Sequence, residues 1–316
     1  MTDQSKGVLA MIACCTVWGL SPLYYKMLAH IPPLEVLSHR TLWSLVFFAV
    51  VLAVQGRMGP LRSALSSPRS VVIILIAALA IATNWFFFIL SVQIGKAVEA
   101  SLGYYIFPLV AVLIGVVAFG ERLNRAQGLA VALAVLAVVV LTLGLGVAPW
   151  IALILSVSFG LYGLVKKSLS IGPVISVTAE VLLLSPIALI VIGMAWQQGH
   201  GAYGASLGDS LLLMVSGPLT ATPLILFSYA TKRVSMATVG LVQYLNPTLQ
   251  FMCAVVIFGE PFGQWHVIAF SLIWAALAIY SLASLRQDRA ARKARVRSEA
   301  EAIGLTSSRS DSSANP

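Results

Sequence analysis

The sequence predicts an all-α polytopic membrane protein, with ten transmembrane helices arranged as two inverted five-helix repeats. Three observations lead there. Of 316 residues, 59% are hydrophobic and 10% charged, with a mean hydropathy of +0.94; that leaves too little polar surface for a water-soluble fold and suits a bilayer. The apolar residues fall into ten stretches of spanning length, about 20 residues each. One segment also occurs twice, as YYIFPLVAVLIGVVAFGE at 104–121 and QYLNPTLQFMCAVVIFGE at 243–260. At one constant offset Pro108 aligns with Pro247, Tyr105 with Tyr244, and Phe119-Gly120-Glu121 with Phe258-Gly259-Glu260.

The first stretch, 7–27, follows a lone Lys6, contains Trp18 and Pro22, and lacks a small-x-small cleavage site near its end, so it reads as a retained helix. The second, 33–54, carries Glu35, His39 and Arg40; the third, 71–93, carries Asn84 and Trp85. The fourth, 96–119, opens with Lys96 and Glu99 and holds Pro108. The fifth, 126–144, is rich in Ala, Leu and Val, with Gly128 and Ala132, and reads with the tenth, 263–284, as a packing helix. The sixth and seventh, 147–166 and 173–196, echo the first and second. Trp18-Gly19-Leu20, Leu23 and Lys26 match Phe159-Gly160-Leu161, Leu164 and Lys167; Pro33 faces Pro173, and Arg40 falls opposite Glu180. The eighth, 209–230, precedes the ninth, 235–259, which contains the second copy of the duplicated segment. Connections are short, so successive helices are antiparallel neighbours with no room for an extramembrane domain. The divisions are a first repeat at 1–145, a second at 146–285, and a basic cytosolic tail at 286–316, helical at first and then disordered.

The net charge of +9 reports topology, with no nucleic-acid partner implied. Counting from a cytoplasmic N-terminus, the inside connections hold Arg57, Arg62 and Arg69, then Arg122 and Arg125, Lys166 and Lys167, and Lys232 and Arg233. On the other side, the longest connection (197–208) has neither Lys nor Arg; Lys26 and Lys96 are the exceptions. This asymmetry predicts both termini in the cytoplasm. Five helices per repeat then invert the second repeat relative to the first. Exchanging the conformations of inverted halves turns an inward-facing cavity into an outward-facing one around a midplane site. Cys14, Cys15 and Cys253 lie in apolar helices without a CxxC, and read as small buried hydrophobes.

Arg40 is the most costly residue in the chain. A charge within a span costs at least about 2–3 kcal/mol and must face the protein interior. Two readings stand: it grips an anionic group of a solute, or it pairs permanently with Glu180 and fixes the interface between halves. Glu180 is the first candidate for proton coupling, since a carboxyl isolated in an apolar span can load and release a proton; pairing with Arg40 defeats that argument. His39, which titrates near neutrality unaided, is the second, against a structural hydrogen-bonding role. Pro108 and Pro247 each free a carbonyl that lipid cannot satisfy, so the bends should face a cavity and act as hinges. Tyr104, Tyr105, Gln243, Tyr244 and Asn246 then become solute-lining candidates, with hydrogen bonding between helices as the alternative. Asn84 must face inward to find a partner, and Trp85 beside it reads as cavity wall or gate. Glu121 and Glu260 close their helices at the interfaces and read as structural.

These residues carry a family likeness. The openings GVLAMIACCTVWGLSPLYYKML and EVLSHRTLWS, with TNWFFFILSVQIGKAVEASLGYYIFPL and the PxxxxxxxxxxFGE pattern, make residues 5–285 resemble the drug/metabolite transporter superfamily, EamA type. Within it they resemble the RarD-like branch, named for chloramphenicol sensitivity. The resemblance implies a basket of ten helices in a bacterial inner membrane, moving small organic solutes such as amino acids, metabolites or drugs. The expected activity is efflux by proton antiport through alternating access. Uptake by a metabolite or amino-acid permease is the alternative. A membrane-embedded enzyme is the second. It lacks support because His30, His39, His200 and His266 are scattered and neither HExxH nor GxSxG occurs. No Walker motif, metal set or cofactor is expected, and a homodimer is left open.

Overall fold

A computed structural model describes residues 2–120, 123–169, 171–283 and 286. Glu121, Arg122 and the tail beyond residue 286 lie outside them. The described chain is helical and holds ten segments long and apolar enough to cross a membrane. In order they are α1 (Asp3–Met27), α2 (Pro33–Val54), a short α3 (Met58–Ala64), α4 (Pro68–Gln93), α5 (Ala97–Phe119) and α6 (Arg125–Leu145). There follow α7 (Trp150–Lys167), α8 (Pro173–Gln197), α9 (Leu207–Thr231), α10 (Met236–Gln243), α11 (Leu245–Met252) and α12 (Gln264–Ala283). The ninth span is composite: α10, α11 and a wide turn of helix over Cys253–Ile257.

Local chemistry sets these limits. Proline opens α2, α4 and α8, where the first turn has no use for its missing N–H. Thr2, Ser206 and Ser235 accept amides at the starts of α1, α9 and α10, and Asn124 with Gln127 closes a reciprocal cap on α6. The repeated Phe-Gly-Glu is a stop signal. Gly120 and Gly259 take φ of 65° and 66°, a left-handed turn that ends a helix and that side chains resist. Glu260 then reaches across the molecule, its two carboxylate oxygens accepting the Ala97 and Val98 amides at 2.8 Å, and so caps α5. Burial pushes the Glu260 carboxyl up from its ordinary value, against the opposing pull of those two amides and Lys26.

Two features depart from the sequence reading. The loop after α2 contains the extra helix α3, whose Leu61 and Ala64 pack beneath α8. The ninth span stops and restarts at Tyr244. Pro247 offers no amide to the carbonyl of Gln243, four residues earlier, and α10 ends at that residue.

Between helices in lipid, close packing and hydrogen bonds replace the hydrophobic drive. The packing partners cross from one half of the chain to the other. α1 lies on α9 and α11, α7 lies on α4 and α5, and α2 meets α8 and α9. Gly19 of α1 lets α11 approach so closely that a Cβ there would stand 2.6 Å from Leu249; Gly103 of α5 does the same for α7, 2.8 Å from the Ala152 carbonyl oxygen. Lipid-facing positions stay apolar, among them Val54, Val117 and Leu143.

Candidate functional site

The crossing of the two halves encloses a cavity of about 680 Å³, within the range of small-molecule sites, about 300–1,000 Å³. Its wall is mostly apolar and aromatic. It reaches the ends of α7, α8 and α12 on the side of the basic loops, at Lys166, Pro173 and Ser281. Toward the opposite side it stops at Tyr25, Arg40 and Phe88. Beyond them Leu28, Ile31, Val36, Val98 and Leu102 are all buried, so that end is sealed.

Arg40 stands in the wall, 6% exposed. Its Nε donates to Thr220 Oγ1 at 2.9 Å, and Thr220 in turn donates to the Ser216 carbonyl on α9. The guanidinium lies 4.0 Å from the centre of the Trp85 ring and 5.8 Å from that of Tyr25, a stack that holds it flat. Among the described residues no carboxylate lies within ion-pair distance of it. Of its two sequence readings, the Glu180 pairing is absent.

Glu180 is not isolated. It is fully buried; its Oε1 sits 2.7 Å from Lys166 Nζ and accepts from Ser176 at 2.8 Å, while Oε2 accepts from Tyr162 at 3.2 Å. It stands behind the cavity wall, and Lys166 and Tyr162 are the residues that reach the lining. The mismatch with the sequence reading has a geometric reason. Arg40 and Glu180 each lie seven residues inside their helices, about 10 Å along the axis, but α2 begins beside the 198–206 loop and α8 beside Lys166 at the end of α7. Repeat counterparts therefore sit at different depths.

His39 is buried at the sealed end and lies off the cavity wall. Its Nε2 is 3.9 Å from Glu35 Oε1 and has no hydrogen-bond partner. Its ring stacks on Tyr203, with centroids 5.4 Å apart. The same loop donates the Ala202 amide to Glu35 Oε1 at 2.7 Å, which folds residues 198–206 over the end of α2.

The remaining predicted lining residues divide. Trp85, Gln243, Tyr244, Asn246, Pro108 and Pro247 all line the cavity. Asn84 and Tyr104 do so while bonded to protein: Tyr104 donates to Asn84 Oδ1 at 2.8 Å, and Asn84 Nδ2 donates to the Leu155 carbonyl and to Ser158. Tyr105 does not reach the cavity. It turns to Phe270 and Trp274 and bonds Thr248 at 2.7 Å. Its side chain leaves α5 on the flank that packs against α12, so only Tyr104 of the pair faces the cavity. Pro108 leaves α5 continuous from Ala97 to Phe119, unlike the break near Pro247.

Sequence reasoning missed Lys166, Tyr162, Thr220 and Gln250. Lys166 was counted among loop charges, yet its side chain turns back into the bundle. Gln250 follows Asn246 by one helical turn, donates to its Oδ1 at 3.0 Å, and leaves its own Oε1 without a donor; that spacing was the available signal. Among the described residues no three His, Cys, Asp or Glu gather to hold a metal, and the three cysteines are buried and form no disulfide.

Comparison with known proteins places this geometry. A profile of the EamA-like transporter family matches the chain twice, over residues 5–143 and 147–282. Protein RarD of Streptomyces exfoliatus is 42% identical over 301 residues, 95% of each chain. An uncharacterized transporter of Vibrio cholerae is 38% identical over 296 residues, covering 93% of this chain and 97% of the relative. A solved crystal structure superposes on 88% of this chain and 98% of its own with a TM-score of 0.59 at 19% identity, a likeness of fold alone.

Proposed function

The chain belongs to the EamA-like transporter family and moves small solutes across a membrane as a secondary transporter; from that premise we propose that it is a bacterial inner-membrane carrier of the RarD-like branch, exporting small organic solutes or drugs by proton antiport. The observation that carries the reading is the cavity: it lies where the two halves cross, opens toward the basic loops and is sealed at the other end. With the positive-inside orientation and both termini in the cytoplasm, this is an inward-facing state.

The two halves, 1–145 and 146–285, are read as inverted repeats. One observation supports this: helix partners cross between halves in matched pairs, α1 on α9 and α11, α7 on α4 and α5. Alternating access then exchanges their conformations about α2 and α8. Arg40 is the solute anchor, presented to the cavity by Trp85 and Thr220. Asn84, Trp85, Tyr104, Gln243, Tyr244 and Asn246 complete the site, with Pro247 as the hinge at the break in the ninth span and Pro108 as its counterpart. Tyr105 supports this wall from behind through Thr248. The coupling groups are Glu180 with Lys166 at the open end and His39 with Glu35 at the sealed end. A proton on Glu180 removes the charge that holds Lys166, and loosens the α7–α8 contact.

Counterflow in proteoliposomes tests the reading, with labelled amino acids, small carboxylates and chloramphenicol and with or without an imposed pH gradient. Saturable exchange that the gradient accelerates is expected. Glu180→Gln should still exchange solute for solute while ignoring the gradient. Unaltered gradient dependence in that variant removes Glu180 from coupling, and exchange indifferent to pH in the unmodified protein removes antiport altogether.

A further inference from the structure

The charges in the cavity wall are one-sided. Among the described residues lining it are two cations, Arg40 and Lys166, and no Asp, Glu or His. Lys166 is neutralised from behind by Glu180 at 2.7 Å. Arg40 has no such partner: the side chains it bonds, Thr220 and Tyr25, carry neutral hydroxyls. An empty cavity of this kind carries a single uncompensated positive charge in surroundings of low dielectric, where unpaired charge is costly.

The same wall offers little to a cationic group. Asn84 Oδ1 already accepts from Tyr104, and Asn246 Oδ1 from Gln250. Aromatic faces, the other home for an ammonium, are partly taken: Trp85 and Tyr25 by Arg40, Tyr162 by Lys166. Two side-chain amides in the wall keep a carbonyl oxygen free of protein donors: Gln243, which is exposed, and Gln250, which is 3% exposed and has no donor for Oε1. Neutral acceptors match neutral N–H or O–H donors; an ammonium brings three donors and a charge that Arg40 repels.

We propose that the cavity selects monoanionic amphipaths: one carboxylate or similar anion for Arg40, a bulky apolar body for the aromatic wall, a neutral donor for Gln250, and no cationic centre. This rests on the cavity being the solute site. N-acylated or otherwise uncharged-nitrogen derivatives of apolar amino acids have this chemistry, and free zwitterionic amino acids do not.

Four probes with one carbon frame separate the charges: N-acetyl-L-phenylalanine (anion), L-phenylalanine (zwitterion), L-phenylalaninamide (cation) and N-acetyl-L-phenylalaninamide (neutral). Binding to the full chain in nanodiscs is read from tryptophan fluorescence, Trp18 and Trp85 standing in the wall. The anion should bind at least about tenfold tighter than each of the others, about 1.4 kcal/mol, and Arg40→Gln should erase its advantage over the neutral probe. Gln250→Leu keeps the test independent of any folding defect at Arg40; it should weaken N-acetyl-L-phenylalanine and leave 3-phenylpropanoate, which lacks the N–H, unchanged. Phenylalanine binding as tightly as the anion, or no binding by any probe to folded protein, overturns the charge rule. If the anion binds but Arg40→Gln leaves it untouched, the failure lies with the cavity as solute site instead.

Discussion

At the scale of single residues, two buried charges with different environments have different predicted roles. Arg40 faces space, so Arg40→Ala should remove a charge-assisted contact and weaken solute binding about 10–100-fold while the protein still inserts and folds; Arg40→Lys should recover part, since an ammonium keeps the charge and loses the planar stack on Trp85. Uptake of labelled solute alongside unfolding midpoints separates this from a structural role, in which expression would fall instead. Glu180 faces protein. Its side chain is fully buried and that of Lys166 is 23% exposed, so the pair should respond unequally to truncation. Lys166→Ala strands a buried carboxylate without its counter-ion, at a cost of about 3–5 kcal/mol. Glu180→Gln leaves an ammonium able to swing toward the basic face, and should cost less. Thermal unfolding in detergent checks the order, and equal losses would remove the asymmetry. The sequence made Arg40 and Glu180 legible as unusual, because a charge in an apolar run is visible without coordinates. Their partners were not legible. Alignment of repeats gives equivalence, and in an antiparallel arrangement equivalent residues stand at different depths. The direction in which Lys166 turns depends on where Glu180 ends up, which no local pattern encodes.

At the scale of elements, helix ends and crossings carry the specific information. Glu260 satisfies two amides at the start of α5, where Ala97 and Val98 are nearly fully buried and the helix end favours a negative charge. Glu260→Ala should therefore destabilise the protein by about 1–2 kcal/mol, and Glu260→Gln by less, because the amide retains an acceptor and loses the charge. The unfolding midpoint in detergent reads both. The crossings are less forgiving. Gly103→Leu drives a side chain into the backbone of Ala152 on α7, 2.8 Å from its carbonyl oxygen, so α5 and α7 must separate, and a loss of folded protein is expected; Gly128→Leu, with nothing within 4 Å, should be tolerated and serves as the control. The spans themselves were legible because bilayer thickness fixes their length. Short α3 was not, since seven residues outside the membrane leave no hydropathy signal. Pro247 announced a disturbance in the ninth span, but the same residue type at Pro108 leaves α5 continuous, so the break depends on the neighbours that receive the freed carbonyl.

At the scale of the whole molecule, the sealed and open ends make opposite predictions about access. Gly163 on α7 lines the cavity, and a side chain added there meets nothing within 4 Å, so Gly163→Cys installs a reporter without disturbing the wall. The native cysteines are buried, but Cys15 borders the same cavity, so the reporter is placed in a Cys15→Ser background. In the state described here a membrane-impermeant thiol reagent should reach residue 163 from the side of the basic loops and be excluded from the other, because Leu28, Ile31, Val98 and Leu102 close that end. Sided labelling in inside-out and right-side-out vesicles measures this directly and reports, in the same experiment, which side carries the basic loops. Alternating access adds a further expectation: conditions that drive turnover should slow labelling from the first side and permit it from the second. Labelling from both sides at once would describe a continuous pore, and labelling from one side under every condition would describe a cavity that never exchanges. Only reciprocal access unites a solute-sized space between crossing halves with a chain whose two sequences can trade conformations.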